Sequence, residues 1–243
     1  MSVASQREVV VVHSSDLHLG PDSSFDLSHS PDTLSLLRQV LAAATAASAD
    51  LLILAGDTFE HNRQPSALLD RSARIMGEFN RPIVILPGNH DPLTPDSVYR
   101  RPELAGISNV CVLGLTVDGA TAFSGLDLEV WGKAHLDYAD MSPLSKPPPR
   151  STRWQIAAAH GHYVEEPDEP GRLLGSWLIR REELTATGAD YIALGHWNRA
   201  ARVGDGQINA YYSGSPDHAG TVNVVRLRRD GAVEVTLVPL PFA

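Results

Sequence analysis

Two stretches, ILAGDTFEHN at residues 53 to 62 and VILPGNHD at residues 84 to 91, decide how the chain reads. Each is a short apolar run that reaches a glycine and then a residue able to bind a cation. An apolar run without alternation fits a strand buried on both faces. Polar residues at the carboxyl end of such a strand stand where open sheets place their sites. Asp57 follows Gly56, which permits a close turn, and a carboxylate there can bridge two cations held about 3.5–4 Å apart. Asn89 can offer its amide oxygen to a metal, and His90 beside it can face a substrate.

The same unit recurs outward from these two stretches. Upstream, Glu8 to His13 reads as a first strand and ends at Ser14-Ser15-Asp16-Leu17-His18. An extended backbone would send the Asp16 and His18 side chains to one side. A carboxylate and an imidazole together suit Mn, Fe or Zn. Downstream, Trp154 to Ala159 leads into His160-Gly161-His162, and Tyr191 to Leu194 leads into Gly195-His196-Trp197-Asn198-Arg199.

Between these units the pattern predicts helices over Leu34 to Ala49, Pro65 to Phe79 and Glu182 to Gly188. It predicts further strands over Val110 to Leu115, Thr116 to Phe123, Leu128 to Gly132 and Ile208 to Tyr212, and a final hairpin of Val222 to Leu227 with Val233 to Leu237. Residues 133 to 150 read as irregular, and residues 163 to 175 as an acidic loop, solvated or overhanging the site. Strands alternate with helices early and dominate later. The expectation is one domain over residues 1–243, built of two packed sheets flanked by helices.

Composition bounds the function. Asp and Glu number 29 against 20 Lys and Arg, a net charge of -9, so overall charge does not steer the chain to nucleic acid. That argues against broad non-specific DNA binding more than against a nuclease. Cys111 is the one cysteine, so no intrachain disulfide forms; it reads as a buried strand thiol in a reducing compartment. No basic leader with a long apolar run opens the sequence. The apolar stretch from Val40 to Ala55 is broken by Asp50 and reads as helix then strand, not a membrane span. A cytoplasmic protein without a membrane partner is expected.

Taken together, Asp16-Leu17-His18, Gly56-Asp57, Gly88-Asn89-His90-Asp91, His160-Gly161-His162 and Gly195-His196 resemble the calcineurin-like metallophosphoesterases across residues 9 to 227. GDTFEHNRQPS, ALGHWNRA and YYSGSP are similar to segments of the nuclease branch of double-strand-break repair complexes, which includes the bacterial SbcD exonucleases. The resemblance implies an α/β fold, a four-layer α-β-β-α sandwich of two mixed β-sheets flanked by helices. It implies two divalent cations, manganese first, with Fe, Zn, Mg and Ni as alternatives. Asp16 and His18 would hold the first cation. Asn89, His160 and His196 would hold the second, and Asp57 would bridge. His90 would protonate or stabilise the leaving oxygen, oriented by Asp91, while a hydroxide shared by the metals attacks phosphorus. His162 would support the ligands. Arg199 would meet substrate phosphate or a surface carboxylate, and Trp197 would stack on a substrate ring or wall the pocket. His13 is expected to be a hydrogen-bonded core histidine, and His29 and His135 loop residues.

Two departures from the family pattern bear on function. The fifth motif normally carries a second histidine where this chain has Asn198. Either Asn198 binds through its oxygen and shifts preference toward Mn or Mg, or the first metal is weak or lost, or His61 or His218 takes the place. From the few residues after Ser213–Pro216 and the start of the last hairpin, a separate DNA-contacting cap like that of the nuclease branch is not expected. The leading expectation is a metal-dependent phosphodiesterase or phosphomonoesterase on a small or nucleotide-like substrate. A nuclease that meets DNA through a partner protein, and a metal-poor scaffold without activity, are the alternatives.

Overall fold

A computed structural model describes residues 7–20, 33–165 and 176–241. His29 and residues 166–175 of the expected acidic loop lie outside the described residues. The elements in chain order begin with β1 (Val9–Ser14), α1 (Thr33–Ala46), β2 (Leu51–Ala55), α2 (Ser66–Glu78), β3 (Ile83–Leu86), β4 (Val110–Val112), β5 (Ala120–Phe123), β6 (Leu128–Gly132) and β7 (Trp154–His160). They continue with β8 (His162–Val164), β9 (Leu178–Arg180), α3 (Arg181–Ala186), β10 (Tyr191–Gly195), β11 (Ala200–Val203), β12 (Ala210–Ser213), α4 (Pro216–Ala219), β13 (Thr221–Leu227) and β14 (Val233–Pro239).

Two mixed six-stranded sheets result. One has the order β14-β13-β1-β2-β3-β4, the other β11-β12-β10-β7-β6-β5. Strands β1 to β4 run parallel, as do β6, β7, β10 and β12, so their carboxyl ends share a direction within each sheet. The unalternating runs are buried on both faces, as in β1 and β2, where every side chain is buried. One core cluster joins Val11, Ile53 and Val84 of the first sheet to Ile156, Tyr191 and Ala193 of the second. Helices α1 and α2 add Leu37, Val40, Leu69 and Met76 to it.

A separate cluster packs Leu184 of the six-residue α3 against Ile192, Leu194 and Tyr212, with Trp131, Leu144 and Tyr163 completing it. The small β8–β9 sheet, β11 and α4 escaped the sequence pattern, because three- and four-residue elements carry too few residues for a period to register. The expected strand from Val110 stops at Val112, where Thr116 Oγ1 accepts from the Val112 N–H and turns the chain. Cys111 is half-buried there, not buried, since β4 is an edge strand.

Candidate metal centre

The loops after β1, β2, β3, β7 and β10 meet at one end of the two sheets. A backbone ladder joins the first two: the N–H groups of Asp16, His18 and Leu19 donate to the carbonyls of Gly56, Asp57 and Thr58, and Glu60 N–H returns to Leu19. Asp16 and His18 do not reach the centre by strand alternation. Both have left-handed backbone, with φ of 55° and 47°, and Asp57 (φ 50°) and His196 (φ 104°) are alike in this. Such conformations cost of order 1–3 kcal/mol each and persist where the surroundings over-determine them. Gly56, at φ 95°, could not be otherwise: a Cβ there would lie 1.9 Å from His160 Nδ1. A Cβ on Gly88 would lie 2.2 Å from Asp57 Oδ1.

Asp57 sits at the centre of the donor set. Its Oδ2 is 3.0 Å from His160 Nε2, and its Oδ1 accepts from His90 N–H at 2.9 Å. His160 Nδ1–H donates to the Ala55 carbonyl at 2.9 Å, which turns Nε2 toward Asp57 and toward Asn89 Oδ1 at 3.1 Å. Two groups of donor atoms, each within 4.8 Å of one another, share Asp57: Asp57, His160 and His196, and Asp16, His18 and Asp57. The two buried carboxylates, Asp16 and Asp57, are each 2% exposed. A mixed set of carboxylate, amide oxygen and imidazole suits a divalent first-row cation. The residues present therefore fit the metal the resemblance implies.

The electrostatics point the same way. Burial works against ionised Asp57, but His160 outweighs it and holds the carboxyl below its ordinary range. Burial likewise opposes charge on His160, yet Asp57 raises its pKa to about 10. Asp16 is raised by burial and by the nearby Asp57 charge, although His160 offsets part of this. A cation between the two carboxylates would relieve that repulsion. His196 is lowered to about 4 by burial and by His160, so it is neutral and able to ligate at neutral pH.

The sequence overlooked Glu60. It forms a third donor group with His18 and His90. Burial would raise its pKa, but the two histidines pull it down to about 2. His90 is raised to about 9, chiefly by Glu60, against burial. For His18, burial is outweighed by Glu60 and Asp57, and the net shift is upward.

The expected role of Asp91 is corrected. Asp91 is fully buried and faces away from the His90 ring: Oδ1 accepts from Gly88 N–H at 2.8 Å, and Oδ2 accepts from Phe59 N–H at 2.9 Å and from the Tyr99 hydroxyl. It braces the turn that carries Asn89 and His90, and the His90 ring is held by Glu60 instead. His135 was also underestimated. It lies in a loop but is fully buried, and Nε2–H donates to the His160 carbonyl at 2.9 Å. Its own N–H and C=O bond Pro87 and Leu93, so it ties the third loop to the fourth.

The remaining candidates stand at the rim. His162, His196, Trp197, Asn198 and Arg199 line an open cavity of about 380 Å³. Trp197 Nε1–H donates to His162 Nδ1 at 3.0 Å, and its ring stacks on Tyr212 at 4.3 Å. Asn198 and Arg199 are exposed. His61 accepts from Arg63 N–H within its own loop, and His218 pairs with Asp217 at 2.9 Å and is 64% exposed. Among the described residues neither joins a donor group, so neither takes the place of the missing histidine. His13 is buried and its Nδ1 meets the Tyr191 hydroxyl at 2.9 Å.

The fold and the donor set define a metal-dependent phosphoester hydrolase. The calcineurin-like phosphoesterase family matches residues 9–199, and the chain belongs to that family. It is 26% identical to the SbcD component of the SbcCD nuclease of Bacillus subtilis (strain 168), over 85% of this chain and 61% of that protein. It is also 26% identical to the DNA double-strand break repair protein Mre11 of Saccharolobus solfataricus, over 86% of this chain and 55% of that one. The chain thus spans little more than half the length of these curated relatives. Two solved structures share the fold. A putative 5'-nucleotidase from Staphylococcus aureus, in complex with alpha-ketoglutarate, has a TM-score of 0.62 at 17% identity, covering 98% of this chain and 55% of that one. The protein TT1561 of Thermus thermophilus has a TM-score of 0.60 at 14% identity, covering 95% and 99%. Among the described residues no helix is long and apolar enough to cross a membrane.

Proposed function

We propose that the chain hydrolyses a small or nucleotide-like phosphodiester or phosphomonoester at a two-cation centre. The observation that carries this is the sharing of Asp57 between two donor groups. Asp16, His18 and Asp57 would hold one cation. Asp57, Asn89, His160 and His196 would hold the other, with Asn198 at the rim. When bound, such cations neutralise phosphate oxygens and lower the pKa of water so that it attacks at neutral pH. Three imidazoles beside two carboxylates and one amide oxygen suit Mn, Fe, Zn or Ni, and manganese is the first cation to test.

The chain's own groups supply the rest. Nδ1 of His90 is bonded to the Glu60 carbonyl, which leaves Nε2 to hold a proton for the leaving oxygen. Asp57 Oδ1 fixes the His90 backbone. Trp197 and Arg199 offer an aromatic face and a guanidinium beside His196. A 380 Å³ cavity is in the range of small-molecule sites, and the net charge of -9 does not favour a polyanion. Cys111, as the one cysteine, supports a reducing cytoplasmic setting.

The similarity to a nuclease component and to a double-strand break repair protein supports a second reading, cleavage of DNA with a partner that supplies the DNA contacts. The test is metal content of the purified chain with hydrolysis of bis-p-nitrophenyl phosphate, p-nitrophenyl phosphate and linear DNA across Mn, Mg, Fe, Ni and Zn. Two cations per chain with metal-dependent turnover of the small esters supports the first reading. Salt-sensitive cleavage of DNA with inert small esters supports the second. No cation bound and no turnover refutes both.

A further inference from the structure

Trp177 adopts a costly backbone conformation beside the metal centre. Its φ of 58° is left-handed, an outlier for a bulky side chain. Such strain persists where the surroundings over-determine it, and it gathers at ligand clamps. Three bonds hold Trp177 there. Its N–H donates to Asp140 Oδ1 at 2.6 Å, its Nε1–H donates to the Ala139 carbonyl at 3.0 Å, and its carbonyl accepts from His162 N–H at 2.9 Å. Gly161 makes room for it: a Cβ there would lie 2.2 Å from the Trp177 carbonyl oxygen. The indole meets the rings of His135 and His196 edge to face, with centroids 5.2 and 5.9 Å away.

The indole is half-buried, and its one polar atom is committed to Ala139, so what it shows to solvent is carbon. The loop that holds it is apolar in the same way. Among the described residues three large apolar side chains are exposed, and two of them, Leu136 at 63% and Tyr138 at 65%, belong to this loop. Cations and phosphate are served by charge and hydrogen bonds, which Trp177 and Leu136 do not offer. Residues 134–140 carry two aspartates and no lysine or arginine, so they disfavour a second phosphate. Trp197, next to His196 in the chain, has one ring face covered by Tyr212.

We propose that Trp177, with Leu136 and Tyr138 of the loop that holds it, forms a subsite for an uncharged aromatic ring of the ester, either the base of a nucleotide or the ring of an aryl ester. The inference rests on the two-cation hydrolase reading above and names its substrate class. Aromatic rings attract one another with centroids about 4.5–7 Å apart, and an aromatic side chain takes any base because every base has a π-face.

The test uses the full chain loaded with Mn²⁺, as wild type, Trp177→Phe, Trp177→Leu and the double variant Leu136→Ser with Tyr138→Ser. Hydrolysis of bis-p-nitrophenyl phosphate is measured against methyl phosphate, phenyl phosphate and thymidine 5'-phosphate as competitors, which share the phosphate and differ in the ring. Wild type is expected to bind the two ring-bearing competitors at least about tenfold tighter than methyl phosphate. Trp177→Leu should lose that preference while its affinity for methyl phosphate and its Mn²⁺ stoichiometry stay as in wild type, and Trp177→Phe should keep most of it. The double variant changes exposed positions alone and should lose about two- to tenfold of the preference; it carries the test if Trp177→Leu does not fold. Tighter binding of thymidine 5'-phosphate than of phenyl phosphate supports a nucleotide, and the reverse supports an aryl ester. Equal affinity of the wild type for all three competitors overturns the inference, as does an unchanged preference in Trp177→Leu or, where that protein is unfolded, in the double variant. Equal weakening of all three in Trp177→Leu, with loss of Mn²⁺, also overturns it, since Trp177 would then serve only to support His196. Each of these leaves the hydrolase reading standing. A wild-type chain that takes up no Mn²⁺ and hydrolyses nothing overturns that reading, and this inference with it.

Discussion

Asp57 Oδ2 and His160 Nε2 lie 3.0 Å apart with both side chains out of solvent, so one proton and one cation compete for the same two atoms. Burial alone would neutralise each group, but their attraction raises His160 to about 10 and holds Asp57 below its ordinary range. In the metal-free protein the stability that His160 contributes is complete below its unfolded pKa of 6.5 and is lost as pH rises through about 10. The Asp57 contribution is present above its unfolded pKa of 3.8 and is lost only as pH falls well below it. A cation must displace the His160 proton. Binding at pH 7.5 should therefore release about one proton at this pair, and affinity should climb with pH toward 10. Calorimetry in buffers of different ionisation enthalpy measures the release, and binding without proton release contradicts the assignment.

Asn198 faces the cavity beside His196 from an exposed position. An amide oxygen is a weaker donor than imidazole. Asn198→His is expected to tighten the weaker cation site by about tenfold, read as a shift in its Mn²⁺ titration midpoint. Unchanged stoichiometry and affinity would remove Asn198 as the reason for a weak site.

Whether a feature could be read from the sequence followed the range of the interaction that creates it. The buried runs at Val9–Val12, Leu51–Ala55 and Ile83–Leu86 declare themselves locally, and each delivers its polar residue to the sheet end. Glu60 and His135 do not, because their partners are 30 and 25 residues away and neither breaks a periodic pattern. Asp91 misled through adjacency: it follows His90 in sequence, yet its carboxylate turns inward to Tyr99 and Phe59. The convergence of Asp16 and His18 was foreseen on the wrong backbone, since left-handed residues rather than an extended strand produce it.

Asp91 is a brace, and a brace should register in stability. Its two oxygens accept from two backbone N–H groups and one hydroxyl. Asn offers one acceptor oxygen in their place, so Asp91→Asn leaves at least one buried donor unsatisfied. The expected cost is about 1–3 kcal/mol in urea unfolding. Tyr99→Phe, which leaves the two backbone bonds intact, should cost less. An Asp91→Asn protein as stable as wild type would show that the turn is held by something else.

His13 predicts how the fold responds to acid independently of the metal centre. It is fully buried in β1, with Nδ1 against the Tyr191 hydroxyl at 2.9 Å and Asn223 Nδ2 at 3.4 Å. Burial lowers its pKa to about 3. The unfolded chain takes up a proton near pH 6.5, while the folded chain keeps this imidazole neutral until about pH 3. The unfolded state therefore binds more protons across that window, and stability falls as pH drops through it. The loss attributable to His13 is of order 5 kcal/mol over the whole window at most. His13→Gln retains a hydrogen-bonding side chain without a titrating group. In urea unfolding of the metal-free protein between pH 6.5 and pH 4, the variant should show a shallower loss of stability than wild type, whatever its stability at pH 7. Parallel pH dependences in the two proteins would mean that His13 titrates in the folded state as it does in the unfolded one, and that the buried site admits the proton.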